Sequence, residues 1–421
     1  MPNDRNRDMT GWDIGTRAVH AGERGPKPNF TPVSTPIYRS AAYMYDEIAD
    51  LDAVFAGQQE GYVYARYGNP TITALEEAIR DLEGGDVAVV TASGMAAVHL
   101  ALLAAGVGAG ERIVAARDLY GATFTLLMNV LSTLGIESTF VDTTDTEATR
   151  AAIMETKPRV VLIEAMSNPL LRITDVPAIA AAAHAVGARV VLDGTFTPPP
   201  VLFGFANGAD FVVHSMTKYL NGHADALAGV VIGKGDEAHT LIPLVRTLGP
   251  NLAANEAYMV LRGLKTLTLR LRRQMLNAKL IARALARDPR IARVIYPGLP
   301  SHPQYETARR LFKPGWSGGM VAFELAGATQ EAVMRFMDTL HLCVPATSLG
   351  DVYTLITCPA MTSHREVAPR QRERMGITPG LLRLSAGIEH PRDIIGDLMQ
   401  ALDAANIPLG TPIIGKNPML A

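Results

Sequence analysis

Cysteine is nearly absent from this chain. Cys343 and Cys358 are its only two, too few for a disulfide framework, and a reducing cytoplasmic compartment is expected. An excess of either charge is absent too. Its 39 basic and 41 acidic residues leave a net charge of −2, which gives no electrostatic reason to bind nucleic acid or an anionic membrane. Long apolar runs are also missing. His99 interrupts Ala96–Gly110, and His184 and Arg189 interrupt Ala178–Leu192, where a membrane span needs roughly 20 clean residues. The opening stretch MPNDRNRDMTGW is polar and carries no signal-peptide core. The 10 histidines show no H-x-x-x-H spacing, so no metal site is expected. No G-x-S-x-G elbow or Walker loop occurs either.

What is present is globular. Hydrophobic residues make up 48% of the 421 and charged residues 19%, enough for one large core and a smaller domain. Residues 1–60 lack periodicity and carry turn formers, and they read as an extended arm that packs on something else. A helical pattern over Ile72–Glu83 follows. Short apolar runs then alternate with helical stretches: Val87–Thr91, Arg112–Ala116, Ser138–Val141, Arg159–Ala165, Ala188–Asp193 and Phe211–Ser215. Continuous apolar strands with long connections predict an α/β fold around a mostly parallel sheet buried on both faces. Gly263–Arg287 reads as one long helix leading into a smaller C-terminal domain. That domain mixes strands (Met320–Leu325, Leu381–Glu389) with helices (Thr329–Leu340, Asp393–Ala405). The division is therefore 1–60, 61–262 and 263–421.

The chain is organised around Asp210–Gly233, DFVVHSMTKYLNGHADALAGVVIG. A buried strand delivers Ser215, Thr217 and Lys218 to its end, and Asn221-Gly222-His223 forms a turn. A lysine held there can form a Schiff base, with neighbouring hydroxyls binding a phosphate. A surface lysine on a polar loop is the plainer reading of S-x-T-K alone. His214 and His223 flank it and receive no role. Gly94, behind the cap Ser93, opens a helix over Ala96–Ala105. A helix N-terminus offers amides to an anion, although capping alone also explains the pattern. Asp193 closes an apolar strand. A pyridinium nitrogen is one partner for it, and an N-cap role is the other. Tyr64 and Arg66 point to one side of an extended segment and suit a phosphate. Tyr120 can stack on a planar ring or be an ordinary half-buried tyrosine. Arg383, inside an apolar strand, needs either a substrate carboxylate or a structural ion pair.

Taken in order, VHSMTKYLNGHAD, YARYGNPT, ASGMAA, EAMSNPLLRITD, VIYPGLPSHPQ, SLGD and LLRLSAGIE resemble the Cys/Met-metabolism family of pyridoxal-phosphate enzymes, from about Thr16 to about Ala404. The resemblance implies a fold-type-I enzyme with pyridoxal 5′-phosphate held on Lys218. The domain 61–262 becomes the cofactor-binding domain. Asp193 pairs with the ring nitrogen and Tyr120 stacks on the ring, acting in acid–base steps. Gly94, Met95, Ser215 and Thr217 hold the phosphate, joined by Tyr64 and Arg66 from a neighbouring subunit of a homotetramer. Asn168, Thr347, Ser348 and Arg383 surround a small amino-acid substrate, with Arg383 on its α-carboxylate. The implied reaction is γ-elimination from a sulfur-containing amino acid; the alternatives are γ-replacement on an O-acyl homoserine, β-elimination, and a non-catalytic scaffold, against which intact Lys218, Asp193 and Arg383 argue. The sequence departs from the family pattern at Gly194, where asparagine is usual. It departs again at Ala122, where methionine γ-lyases typically carry cysteine. Thr347 replaces the glutamate usual in members that handle cystathionine by γ-chemistry.

Overall fold

A computed structural model describes Asp13, Thr16, residues 30–363, Arg365, residues 368–407 and Leu409. Most of the expected arm before residue 30 lies outside the described residues. The described part is largely irregular, but the helix Ile48–Phe55 interrupts it, so the arm is not extended throughout. It is anchored at one end: the Tyr38 amide donates to Thr71 Oγ1 at 2.9 Å, and Thr71 Oγ1 donates to the Pro36 carbonyl at 2.8 Å.

The apolar runs become the strands β1 (Val87–Thr91), β2 (Arg112–Ala116), β3 (Glu137–Val141), β4 (Val160–Glu164), β5 (Arg189–Asp193), β6 (Phe211–Ser215) and β7 (Gly229–Gly233). They form a seven-stranded sheet in the order β1-β7-β6-β5-β4-β2-β3. From β6 to β3 every pairing is parallel. β7 runs antiparallel to both β1 and β6, because the Lys218 segment and its turn return the chain without a crossover helix. All strands except β7 therefore point the same way, and their carboxyl ends share one edge. Ligands settle at such an edge in α/β sheets.

Alternate residues of each strand enter different cores. Ala88, Val90, Val190 and Val212 face one layer with the helix Val176–Ala185, while Val87, Val89, Val191 and Val213 face the helix Gly94–Ala104. A second sheet is built from β8 (Ile291–Ile295), β9 (Met320–Leu325), β10 (Val344–Pro345), β11 (Leu355–Thr357) and β12 (Leu381–Ser385), in the order β10-β11-β12-β9-β8. Its outer core includes Val321, Phe323, Leu382 and both cysteines, with Ile394 and Leu398 of the helix Pro391–Ala404. Cys343 and Cys358 are free and buried. No helix among the described residues is long and apolar enough to cross a membrane.

The long helix expected over Gly263–Arg287 is Leu267–Leu285; Gly263 and Leu264 instead close a preceding helix, Ala254–Leu264. A Cβ on Gly263 would stand 2.2 Å from the Asn221 carbonyl oxygen, so the first helix crosses hard against the Lys218 segment. The buried Arg270 guanidinium then takes up the Gly263, Tyr219 and Leu220 carbonyls at 2.9, 2.8 and 3.3 Å. The strand expected over Leu381–Glu389 ends at Ser385, where the Ala386 amide turns to the Gly319 carbonyl.

Candidate active site

The carboxyl ends of β1, β4, β5 and β6 surround a cavity of about 210 Å³, several times the roughly 30 Å³ share of one water molecule. Its walls include Gly94, Met95, Tyr120, Asn168, Asp193, Ser215, Thr217, Lys218, Thr347 and Arg383. Residues from both sheets thus converge on one space.

Lys218 stands one turn past β6. Its Nζ donates to Ser348 Oγ at 3.0 Å. Burial and the Arg383 charge lower the lysine pKa, and the Asp351 carboxylate opposes them. The amine is thereby moved toward the neutral, nucleophilic form. Asp193 ends β5 and accepts the Thr195 amide at 2.9 Å. Burial raises its carboxyl, while the Thr195 hydrogen bonds and the His214 charge pull it back. Beside it in register is Glu164, at the end of β4, a residue that sequence reasoning missed. Burial and the Asp193 charge push Glu164 well above the usual carboxylate range. Its Oε1 accepts the Tyr120 amide at 2.6 Å. The same signal that marked Asp193, an acid closing an apolar strand, was available for Glu164.

The helix Gly94–Ala104 is capped by Ser93 Oγ, which accepts the Ala96 amide at 3.2 Å. The first-turn amides of Gly94 and Met95 have no acceptor within the helix. A Cβ on Gly94 would lie 2.8 Å from Ser215 Cβ, so only glycine lets the helix end and the Lys218 segment close together. Thr217 Oγ1 accepts the Ala228 amide at 3.0 Å, which ties the segment to β7. The donor set is a lysine amine, helix-end amides with hydroxyls, a buried carboxylate and an aromatic ring. It fits a cofactor with an aldehyde, a phosphate and a basic ring nitrogen.

Arg383 lies within β12, 4% exposed. Nη1 donates to Asn168 Oδ1 at 2.8 Å, and Nη2 donates to the Ser348 and Thr347 carbonyls at 3.1 and 3.3 Å. Its Nε is buried without a partner, and among the described residues no carboxylate pairs with it. Burial pulls its pKa down to about 10. A buried cation without a counter-charge is a receptor for an anion.

Tyr64 and Arg66 are not among the residues lining this cavity. Arg66 donates to the Arg246 carbonyl and lies over the Tyr67 ring, 5.0 Å from its centroid. Ala122 does not line the cavity either. Among the described residues no group of three or more His, Cys, Asp or Glu is placed to hold a metal.

Residues 15–403 match the model of the Cys/Met metabolism PLP-dependent enzymes. The chain belongs to this family. Its cofactor is therefore pyridoxal 5′-phosphate, and it is an enzyme acting on small sulfur-linked amino acids by elimination or replacement at the γ carbon. An L-methionine gamma-lyase of Porphyromonas gingivalis is 40% identical over 95% of this chain and 99% of its own length. An O-succinylhomoserine sulfhydrylase of Pseudomonas aeruginosa is 37% identical over 94% of this chain and 97% of its own. A cystathionine gamma synthase structure from Xanthomonas oryzae pv. oryzae, in complex with aminoacrylate and cysteine, superposes with a TM-score of 0.83. It shares 38% identity and covers 89% of this chain and 94% of that one.

Proposed function

We propose that this enzyme catalyses γ-elimination from an amino acid with an uncharged γ-substituent, methionine being the simplest, releasing a thiol, a 2-oxo acid and ammonia. The observation that carries the reading is Arg383, a buried guanidinium that pairs with no carboxylate among the described residues and lines the same cavity as Gly94 and Met95. Bound pyridoxal phosphate supplies an electron sink that acidifies the substrate's Cα. Lys218 would hold it, and Lys218 Nζ, freed when the substrate's amine takes its place, would take the Cα proton. A second proton leaves Cβ, and the Cγ–S bond breaks with its electron pair going to sulfur. Tyr120, on the cavity wall, would stack on the ring and protonate the departing sulfur. Ser348 Oγ receives the Lys218 ammonium and keeps its proton over the cavity. Asp193 holds the ring-nitrogen proton. Gly94, Met95, Ser215 and Thr217 bind the phosphate, completed by Tyr64 and Arg66 of a neighbouring copy in a homotetramer. Asn168 fixes the Arg383 guanidinium in plane. The cofactor domain spans 61–262 and the C-terminal domain 263–421.

The uncharged-substituent reading is supported by Thr347, compact and uncharged on the cavity wall, and by Val98, Leu227 and Leu349 on the same cavity's walls. A distal ammonium is penalised in such surroundings, whereas a methyl thioether is not. The second reading is γ-replacement on an O-acyl homoserine, favoured by the sulfhydrylase relative at 37% identity. Methionine, cystathionine and O-acetylhomoserine, each with and without added thiol, separate the two when 2-oxo acid and thioether are both assayed. The expected result is 2-oxo acid from methionine at a higher kcat/KM than from cystathionine, with little thioether. Thr347→Glu is expected to move that ratio toward cystathionine; an unmoved ratio removes Thr347 as the selector.

A further inference from the structure

Two carboxyl groups end neighbouring strands at the cavity, and the chemistry above uses only Asp193. Glu164 and Asp193 are Cα partners across β4 and β5, so both side chains leave the same face of the sheet. Both line the cavity, and Glu164 is 6% exposed. Buried carboxylates side by side repel, and one of them keeps a proton unless a cation intervenes. The charges that act most on Glu164 are themselves negative, Asp193 and then Asp118 of the segment after β2. Asp118 is taken up by Arg172 at 2.5 Å. Lys218 and Arg383 line the same cavity, but they donate to Ser348, Asn168 and backbone carbonyls. The two acids are not held alike. Asp193 accepts the Thr195 amide at 2.9 Å, and the Thr195 hydroxyl and the His214 charge also favour its ionised form. Glu164 has one such donor, the Tyr120 amide, 2.6 Å from Oε1. The proton of the pair therefore belongs on Glu164.

That one donor matters for Tyr120. The residue is 46% exposed and stands at the start of the short helix Gly121–Thr125. Among the described residues its other hydrogen bond, from the Phe124 amide to the Tyr120 carbonyl, stays within that helix. The bond to Glu164 is thus the hydrogen bond that ties Tyr120 to the sheet. We propose that Glu164 is a positioning residue held as a neutral carboxylic acid: one oxygen fixes the Tyr120 backbone at the cavity edge, and its proton leaves the negative charge of the pair to Asp193. The inference rests on the roles given above to Tyr120 and Asp193. An ionised Glu164 would instead compete with Asp193 for the ring-nitrogen proton.

The test uses the cofactor-loaded enzyme. Glu164→Gln keeps an oxygen for the Tyr120 amide and is uncharged at every pH, whereas Glu164→Leu keeps the size and removes the acceptor. Glu164→Gln should retain kcat within about twofold and leave the pH titration of the cofactor's visible absorption unmoved. Asp193→Asn should move that titration. Glu164→Leu should lower kcat about tenfold at unchanged KM and alter the visible circular dichroism of the bound cofactor. In a Tyr120→Phe background it should lower kcat no further, since the two changes act through one residue. The infrared difference spectrum of wild type minus Glu164→Gln at neutral pH should carry the carbonyl band of a protonated carboxyl. A carboxylate band in its place, or a titration moved by about one unit in Glu164→Gln, would show an ionised Glu164 and overturn the proposal. So would a Glu164→Leu enzyme that matches wild type in kcat and circular dichroism. Loss of the fold in both Glu164→Leu and Glu164→Met would make the contact structural and overturn it as well. If Tyr120→Phe alone turns over like wild type, or Asp193→Asn leaves the titration unmoved, the role given to that residue falls and this inference with it.

Discussion

Arg383 and Lys218 share the cavity but answer burial differently. Arg383 stays cationic, because its lowered value of about 10 is still far above neutrality. Charge-assisted contacts to a carboxylate contribute about 1.5–3 kcal/mol, so Arg383→Gln should lower kcat/KM roughly tenfold to a hundredfold or slightly more. It should also erase the preference for an amino acid over its carboxamide in steady-state assays; a retained preference would place the carboxylate elsewhere. Lys218 is instead pushed toward neutrality, which has a cost in the cofactor-free protein. Its pKa lies below the ordinary 10.5, so between the two values the unfolded chain binds more protons and stability rises with pH. Below that window the penalty is fully present, and above 10.5 it is gone. Lys218→Met should therefore abolish turnover yet raise the melting temperature of the cofactor-free protein at pH 7, with the gain shrinking as pH approaches 10.5. An unchanged melting temperature at pH 7 would remove this account.

At the scale of elements, the site depends on two close approaches. One is the helix Gly94–Ala104 against the end of β6, where the missing Cβ of Gly94 leaves room for Ser215. Gly94→Ala should cost about 1–3 kcal/mol as an overpacked contact and weaken cofactor binding measured by equilibrium dialysis. The other is the break between Ala254–Leu264 and Leu267–Leu285. Arg270, 4% exposed and on the second helix, bonds the Gly263 carbonyl of the first and the Tyr219 and Leu220 carbonyls of the Lys218 segment. Arg270 is not among the cavity's lining residues, yet Arg270→Met leaves those carbonyls unpaired. It should lower unfolding free energy by about 2–4 kcal/mol in urea titrations and depress kcat as well. A variant with wild-type stability would show that the break does not hold the segment.

For the whole molecule, the described arm exposes large apolar side chains, among them Phe30, Ile37, Ile48 and Phe55. Tyr64 and Arg66 stand outside the cavity of their own chain. Both facts support a multimer in which each phosphate site is completed by a neighbour. Arg66→Ala should then weaken cofactor binding by about 1.5–3 kcal/mol. Mixing Arg66→Ala chains with Lys218→Ala chains should restore activity in the hybrid sites that carry both intact residues. A fully active monomer by light scattering would rule the arrangement out.

The sequence alone determined the fold class, six strands of the large sheet and the place of Lys218 past a strand end. Each rests on short-range information: apolar runs give buried strands, and a polar residue ending such a run marks the sheet's carboxyl edge. Arg383 was legible for the same reason, as a cation inside an apolar strand, but its partners were not. Only the tertiary structure put Asn168 on Arg383, Glu164 beside Asp193, and Glu83 on His214, because each pair joins residues from separate elements. It also gave Gly263 and Leu264 to the preceding helix and began the long one at Leu267, with Gly263 packed against the Asn221 carbonyl. Local pattern records which residues are buried; which buried groups face one another depends on how the layers stack.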